Sequence, residues 1–265
     1  MQGCPKRLRG KLMAPFYHDV DMVNCHPTLM VQVARKMGLA EEQIETLIAY
    51  VEDRQSLLDR IAAHYAVPPA RAKYAVLRVL NGGEVSTWLR DVRCTQNVAV
   101  PQADLQALKE EAICIREAFF RLFPEQVARL RQELRESARI DVETARQRLE
   151  AAPATGKAEA TRLWDKKRLR ANSGAINRSL FSLCIFELED YVLQAIDDHF
   201  RSCGVVVSSL QFDGLHAEHI EGDEQDPVSC EWKRLEEVMR GAEAAVESKL
   251  GYKISLMEKP LFQGR

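Results

Sequence analysis

Residues that favour β-strands are confined to a few short segments of this chain. Segment 16–23 is rich in aromatic and β-branched residues, and segment 251–258 alternates apolar with polar residues. A third segment, 205–220, carries strand-forming residues on both sides of Asp213-Gly214, a pair typical of tight hairpin turns. Long helical patterns separate these segments. This arrangement predicts an α+β fold, with a small antiparallel palm-type sheet covered by helices and a large helical region between its strands.

The helical patterns have clear start and stop signals. Proline opens several of them, and glycine or asparagine closes them. In chain order, helices are predicted over 27–37, over 41–65 as one or two helices, over 70–80, over about 102–150 with a break at Pro124, over 175–200 and over 229–249. Residues 152–156, APATG, are predicted to be a linker.

Composition excludes several classes of protein. The 265 residues are 46% hydrophobic and 29% charged, which is typical of globular domains. The sequence contains no run of 18 apolar residues, so that no membrane span is predicted. The first residues lack the apolar core of a secretory signal. Seven cysteines without a C-x-x-C pair argue against a disulfide framework or a zinc site. We therefore expect an intracellular protein, cytoplasmic or nuclear, in a reducing compartment and without membrane partners.

Charge alone does not indicate a nucleic-acid partner, because the formal net charge is −2. Cations nevertheless cluster in two places, near the start of the chain and within 157–178. Such clusters are often no more than the solvated faces of helices. The distribution of charge is therefore compatible with nucleic-acid binding but does not establish it.

Two acids occupy positions where a rigid sheet edge could present them together. Asp21 ends the first predicted strand and Asp213 lies in the predicted hairpin. Taken singly, each has an ordinary structural explanation, since aspartate is common at helix starts and in turns. Placed on adjacent strands, the two carboxylates could share a pair of Mg²⁺ ions and support phosphoryl transfer. Asp19 and Glu218 are the candidates for a further carboxylate ligand.

The segment around Asp21 resembles a polymerase motif. DMVNCHPTLM resembles motif A of family B DNA polymerases, D-x-x-S-L-Y-P-S-I-I, with Asp21 on the metal-binding aspartate. His26 falls where family B has the tyrosine, and family A a glutamate, that packs under the incoming sugar. The resemblance implies that His26 excludes a 2′-hydroxyl and that Asn24 lies beside the nucleotide. A histidine at this position departs from both families.

The helix ARAKYAVLRVLNGG resembles motif B of family A polymerases, in which seven residues separate a lysine from Tyr-Gly. Here Lys73 precedes Asn81-Gly82 by the same spacing, and Asn81, which replaces the aromatic residue, is a further candidate for nucleotide binding. The resemblance implies that Lys73 binds the nucleotide triphosphate. Arg71 and Arg78 are further candidates for this role, because a cation on a helix face must meet the phosphates.

Two more segments complete the resemblance, in the order found in polymerases. RLRANSGAINRSL resembles the family A pattern R-x-x-x-N-x-x-x-Q-G, and it implies that four residues contact the primer–template duplex: Arg168, Arg170, Asn172 and Asn177. SLQFDGLHAEHI resembles motif C, L-Q-V-H-D-E-L-V-F-E. Asp213 and Glu218 match its acids, whereas Gly214 and Phe212 depart from it.

Together these segments resemble the palm and fingers of a DNA polymerase. The resemblance implies a palm-like catalytic domain over 1–40 and 168–265, fingers-like helices over 41–100 and a helical insertion over 101–167. It also implies attack of a primer 3′-hydroxyl on a deoxynucleoside triphosphate, assisted by two Mg²⁺ ions, on a DNA primer–template.

Two alternatives remain open. One is another two-metal phosphoryl-transfer enzyme, such as a nuclease, and the other is a non-catalytic nucleic-acid-binding protein with a degenerate palm. The sequence ATGKA at 154–158 lacks the upstream glycine and the following Ser or Thr of a P-loop, so that it predicts no nucleotide-binding loop of that kind.

Overall fold

The computed structural model describes residues 6–92, 102–171, 173–211, 213–219 and 227–260. In these ranges the helices are α1 (Lys6–Met13), α2 (Cys25–Lys36), α3 (Glu45–Glu52), α4 (Arg54–Tyr65), α5 (Pro69–Leu80), α6 (Val85–Asp91), α7 (Ala103–Leu122), α8 (Pro124–Ala151), α9 (Lys157–Arg170), α10 (Ser173–Ser202) and α11 (Pro227–Leu250), with 3₁₀ turns at Glu41–Gln43 and Ala154–Gly156. The strands are β1 (Tyr17–Met22), β2 (Val207–Gln211), β3 (Gly214–Glu218) and β4 (Leu256–Lys259). The predicted α+β class is confirmed.

The chain divides into two compact units. Unit 1 comprises Met1–Gln32 and Ile185–Arg265, and unit 2 comprises Val33–Cys184. Both boundaries fall inside long helices, α2 and α10. The sequence predicts boundaries at 40 and 168 and separates the fingers-like helices from the insertion, whereas these two regions lie in one unit. Over the described ranges, no helix is long and apolar enough to cross a membrane.

Unit 1 contains a four-stranded antiparallel sheet in the order β2-β3-β1-β4. The first strand of the chain is therefore central, between the hairpin and the last strand. On one face of the sheet, Val20, Met22 and Leu215 pack against buried residues of α2, α10 and α11. Because side chains alternate along a strand, Asp19 and Asp21 of β1 and Lys259 of β4 belong to the opposite face. The apolar face thus holds the helices, and the polar face remains for other groups.

The hairpin turn differs by one residue from the prediction. Gln211 of β2 pairs with Gly214 of β3, so that Asp213 directly precedes the strand. Gly214 is the first residue of a strand, not the second residue of the turn. Phe212 lies outside the described residues.

The start of α2 also differs from its prediction. The helix begins at Cys25, two residues before Pro27, which the first turn tolerates because its N–H groups have no partner within the helix. Asn24 precedes it with φ of 48° and accepts a hydrogen bond from the Thr28 N–H at 3.0 Å. Asparagine adopts this left-handed conformation more readily than most residues do. Asn24 therefore turns the chain sharply between Asp21 and the helix.

Unit 2 is helical throughout its described residues. Its core includes Trp88, Tyr65 and Ile115, and the Trp88 indole N–H donates to the Arg71 carbonyl at 3.1 Å. The carboxylate of Glu111 on α7 accepts the Thr46 and Leu47 N–H groups at 2.8 and 2.7 Å, which caps the start of α3. α7, the first helix of the predicted insertion, thus packs onto the predicted fingers-like helices and shares their core.

Candidate active site

The strand register brings Asp21 and Asp213 to adjoining positions. Asp21 pairs with Gly214 in the β1–β3 ladder, and the Met22 N–H donates to the Asp213 carbonyl at 2.8 Å. The two acids are 192 positions apart in the chain and one ladder position apart in the sheet. Asp213 lies in the turn before β3, so strand alternation does not fix the direction of its side chain.

The missing side chain of Gly214 makes room for Asp21. A Cβ atom at position 214 would lie 2.8 Å from Asp21 Oδ1 and 2.5 Å from the Val20 carbonyl oxygen. Both separations are shorter than real Cβ contacts. Glycine is therefore required here by the close approach of β1 and by the position of the Asp21 carboxylate. This requirement gives a physical reason for the departure of Gly214 from the motif C pattern.

A lysine from the last strand neutralises Asp21. Lys259 follows Met257 on β4, and its Nζ forms an ion pair with Asp21 Oδ2. The Asp21 side chain is only 12% exposed and that of Lys259 is 45% exposed. A buried carboxylate requires a nearby cation or hydrogen-bond donors, and Lys259 fulfils that requirement. Any divalent cation at Asp21 would compete with this ammonium group.

A third carboxylate, Glu189 of α10, lies near the start of α2. Its side chain is 13% exposed. Burial raises the pKa of the Cys25 thiol, and the negative charges of Glu189 and Asp213 raise it further. Both carboxylates are therefore close enough to Cys25 to act on it electrostatically. The Asp213 side chain consequently contributes to the negative potential at the start of α2.

His26 is held between Glu189 and an aromatic ring. Its Nδ1 lies 3.4 Å from Glu189 Oε1, and its ring centre is 5.6 Å from that of Phe186. Its Nε2 is buried and has no hydrogen-bond partner among the described residues. A buried unpaired ring nitrogen is unusual, since most buried polar groups are satisfied. The structure thus leaves one ring nitrogen of His26 without a hydrogen bond among the described residues, and the predicted contact of His26 with the nucleotide sugar stays a prediction.

The high pKa of Cys25 has a measurable consequence. Cys25 is expected to remain a thiol at pH 8 and to react with N-ethylmaleimide at least about tenfold more slowly than the half-buried Cys184. Peptide mapping by mass spectrometry after a time course measures both rates in one sample. Equal rates at the two cysteines would contradict the buried, negatively charged surroundings described for Cys25.

The two candidates for a further metal ligand have other positions. Asp19 Oδ1 lies 3.7 Å from Nε2 of the buried His216, whose Nδ1 is 2.8 Å from Ser209 Oγ. Glu218 pairs with Tyr17, four ladder positions from the Asp21–Gly214 pair, which corresponds to about 13 Å along the strands. The structure therefore does not bring Glu218 to Asp213, because the strand that begins beside Asp21 runs away from it.

Sequence reasoning missed Glu189 and Lys259. A signal for Glu189 existed, because it falls at helical spacing between Ile185 and Val192, which are both buried. An acid within an apolar stripe indicates a buried, partnered carboxylate. Lys259 had no such signal, since only the pairing of β4 with β1 brings it to Asp21.

The predicted triphosphate contacts all lie on α5 or at its end. Arg71, Arg78 and Asn81 line one groove in unit 2, together with the exposed Tyr74. Arg78 forms an ion pair with Asp91 at 2.6 Å, which orients its guanidinium within the unit. Lys73 is exposed but does not line this groove. The helix therefore presents the predicted cations on different faces.

The predicted duplex contacts have partners within unit 2. The Arg168 guanidinium lies 4.8 Å from the ring centre of Trp164, and its side chain is largely exposed. Asn177 Oδ1 accepts from Arg131 Nε at 3.0 Å. Arg170 ends α9 and only its backbone is described, and Asn172 lies outside the described residues.

The donor chemistry near Asp21 fits magnesium better than a soft metal. Within the ranges that the structure describes, no group of three or more His, Cys, Asp or Glu residues is arranged to hold a metal ion. Mg²⁺ does not need such a cage, since it is commonly held by one or two carboxylates plus substrate phosphates and water. The carboxylates of Asp21 and Asp213 satisfy that smaller requirement in kind.

Comparison with known proteins gives a distant similarity. No protein-family model matches the chain. A putative helicase, V13, of Sputnik virophage is 21% identical over 263 residues, which make up 98% of this chain and 27% of that protein. The chain thus spans about a quarter of the length of this relative. It is similar, along nearly its whole length, to one part of a viral protein named as a putative helicase.

Proposed function

We propose that this chain carries the metal-binding core of a template-directed nucleotidyl transferase, a DNA polymerase. The observation that supports it most directly is the register that pairs Asp21 with Gly214, next to Asp213. An acid on β1 that adjoins an acid directly before β3 meets the first geometric requirement of a two-metal site. The order of the four polymerase-like segments supplies the remaining support.

In this proposal Asp21 and Asp213 bind two Mg²⁺ ions, which activate the primer 3′-hydroxyl and stabilise the leaving pyrophosphate when they are bound. Lys259 keeps Asp21 neutralised until the substrate enters. Glu189 orients His26 from the side opposite the nucleotide sugar. Arg71 and Lys73 are the proposed triphosphate contacts, and Arg168, Arg170, Asn172 and Asn177 the proposed duplex contacts.

The similarity to a protein named as a putative helicase supports nucleic acid as the partner of this chain. Helicases act on nucleic acid, and a region shared with such a protein is compatible with a role in nucleic-acid metabolism. The present chain contains no P-loop sequence, G-x-x-x-x-G-K-[S/T], so that the motor activity implied by that name is not part of our proposal. The proposed substrates are a DNA primer–template and deoxynucleoside triphosphates.

Primer extension tests the proposal. The purified chain, given a labelled primer–template, all four deoxynucleoside triphosphates and Mg²⁺, is expected to lengthen the primer, and EDTA is expected to stop the reaction. Lys73→Ala is expected to reduce extension at least about tenfold, because a charge-assisted contact to the triphosphate is lost.

The same variant separates the two enzymatic alternatives. A nuclease would use the same acids without a triphosphate contact, so that Lys73→Ala would leave its cleavage rate unchanged. Lys36→Ala, at the end of α2, is the matched lysine control. A wild-type chain that binds DNA but neither extends nor cleaves it under these conditions would support the non-catalytic alternative.

A further inference from the structure

A cavity of about 320 Å³ lies within unit 2, between the end of α5, α7 and the start of α10. Its lining includes Asn81 and Asn177, which come from two different sequence motifs. The remaining wall is supplied mainly by α7, where Arg116 and Phe120 face the cavity. Its volume is at the lower end of the range for small-molecule sites, about 300–1,000 Å³. The cavity therefore suits one small ring system.

Asn81 presents an unsatisfied acceptor. Its Nδ2 donates to the Leu77 carbonyl at 2.8 Å, which fixes the orientation of the amide, because a carbonyl can only accept. Its Oδ1 is buried and has no hydrogen-bond partner among the described residues. A buried acceptor without a donor is destabilising, and a ligand N–H group would relieve this.

Asn177 has the complementary orientation. Its Oδ1 accepts from Arg131 Nε at 3.0 Å, and a guanidinium can only donate, so this amide orientation is fixed too. Its Nδ2 group is then the donor end of the amide. The two amides that line the cavity therefore have fixed orientations, with Asn81 Oδ1 as an acceptor and Asn177 Nδ2 as a donor.

The rest of the lining is aromatic or carries equal numbers of acidic and basic side chains. Phe120 and Phe181 both line the cavity, and the Arg131 guanidinium lies 5.7 Å from the ring centre of Phe120. Glu84 and Lys109 form an ion pair at 2.6 Å in the lining. Two acids and two bases line the cavity, namely Glu84, Glu117, Lys109 and Arg116. This balance favours a neutral aromatic ligand over a phosphate.

We propose that this cavity binds a single nucleobase, which stacks against Phe120 and uses Asn81 and Asn177 to contact its polar edge. Nucleobases are planar rings with donors and acceptors side by side, and every base has a face that stacks on an aromatic side chain. The choice of this ligand class rests on the proposed function, since the chain is taken to act on nucleic acid. The shared chemistry is the base itself, carried either at an unpaired position of a DNA strand or on a free nucleotide.

Fluorescence of 2-aminopurine tests this inference. A single-stranded oligonucleotide with one internal 2-aminopurine is titrated with the full chain in EDTA, so that no chemistry occurs. Saturable quenching is expected. Phe120→Leu and Asn81→Ala are each expected to raise the apparent Kd by roughly tenfold, because stacking or edge contacts are removed.

Phe123→Leu is the matched control, since Phe123 lies just beyond α7 and does not line the cavity. Circular dichroism verifies that each variant is folded. Unchanged quenching by folded Phe120→Leu and Asn81→Ala would overturn the inference. Free 2-aminopurine deoxyriboside triphosphate distinguishes the two sources of the base: quenching of the oligonucleotide alone assigns the site to a strand, and equal quenching of the free nucleotide assigns it to a nucleotide.

This test is independent of catalysis. Quenching of 2-aminopurine that depends on Phe120, without primer extension, would support the base site and contradict the polymerase proposal. Primer extension by the wild-type chain, together with normal quenching by Phe120→Leu, would support the polymerase proposal and contradict the base site.

Discussion

Asp213→Asn is expected to lower the rate of primer extension at least about 100-fold, and Asp21→Asn is expected to lower this rate by a similar factor. The amide is nearly the same size as the carboxylate, but it is neutral and binds a divalent cation weakly. The two acids adjoin in the sheet, so that each substitution removes half of the same proposed metal site. Steady-state incorporation of a single nucleotide, measured across Mg²⁺ concentrations, gives both the rate and the metal dependence.

Asp198→Asn is the matched control for both substitutions. Asp198 lies on α10 in unit 1, is well exposed and forms a long ion pair with Lys249 at 3.4 Å. Exposed pairs of this kind contribute about 0–1 kcal/mol to stability, so that activity should be unchanged. Extension that survives Asp213→Asn in a folded protein would remove the proposed mechanism.

The Asp21→Asn variant has one further consequence, because Lys259 loses its ion pair with the Asp21 carboxylate. The Lys259 side chain is partly exposed and can be solvated instead, so that only a small loss of stability is expected. A large fall in the free energy of unfolding, together with lost activity, would indicate that Asp21 has a structural role. Denaturation of Asp21→Asn and Asp213→Asn in parallel separates these two explanations.

Valine at position 214 is expected to lower the free energy of unfolding by about 3 kcal/mol or more and to abolish extension. The first side-chain atom already clashes, since Cβ would lie 2.5 Å from the Val20 carbonyl oxygen and 2.8 Å from Asp21 Oδ1. The Val20 carbonyl is part of the backbone of the central strand and cannot rotate away. The β1–β3 ladder must therefore separate, and the Asp21 carboxylate must move.

Urea denaturation followed by circular dichroism measures the change in stability. Gly156→Ala is the matched glycine control, because the nearest atoms to its Cβ would lie 3.8 Å away, an ordinary contact distance. Gly214→Ala introduces the same Cβ without the two methyl groups of valine. It is expected to give an intermediate loss of the free energy of unfolding. A Gly214→Ala protein with wild-type stability and activity would contradict the close approach described for β1 and β3.

Much of the local structure could be predicted from sequence. The predicted strand over 16–23 contains β1, and the helix predicted over 175–200 lies within α10. These predictions succeed because periodicity, proline and glycine act over a few residues. α9 was not predicted as a helix of its own, and the predicted linker before it is partly a 3₁₀ turn, Ala154–Gly156. Its sequence is strongly polar, so that little hydrophobic periodicity marks it.

The candidate site was only partly accessible from sequence. Asp21, Asp213 and His26 were identified from their motifs, and the register brings the first two together. Glu189 and Lys259 were not identified, although they contact His26 and Asp21. Glu218 was identified from its motif, but it lies at the far end of the strand pair. A motif records spacing along the chain and contains no information about the direction in which a strand leaves the site.

The sequence by itself determined which segments become helices and strands, because those preferences depend on neighbouring residues. Only the tertiary structure decided that β1 lies between the hairpin and β4, that Lys259 neutralises Asp21 and that α7 closes a cavity lined by Asn81 and Asn177. These contacts join residues far apart in the chain. They form because burying the apolar faces of the strands and helices selects one arrangement, and local preference does not specify that selection.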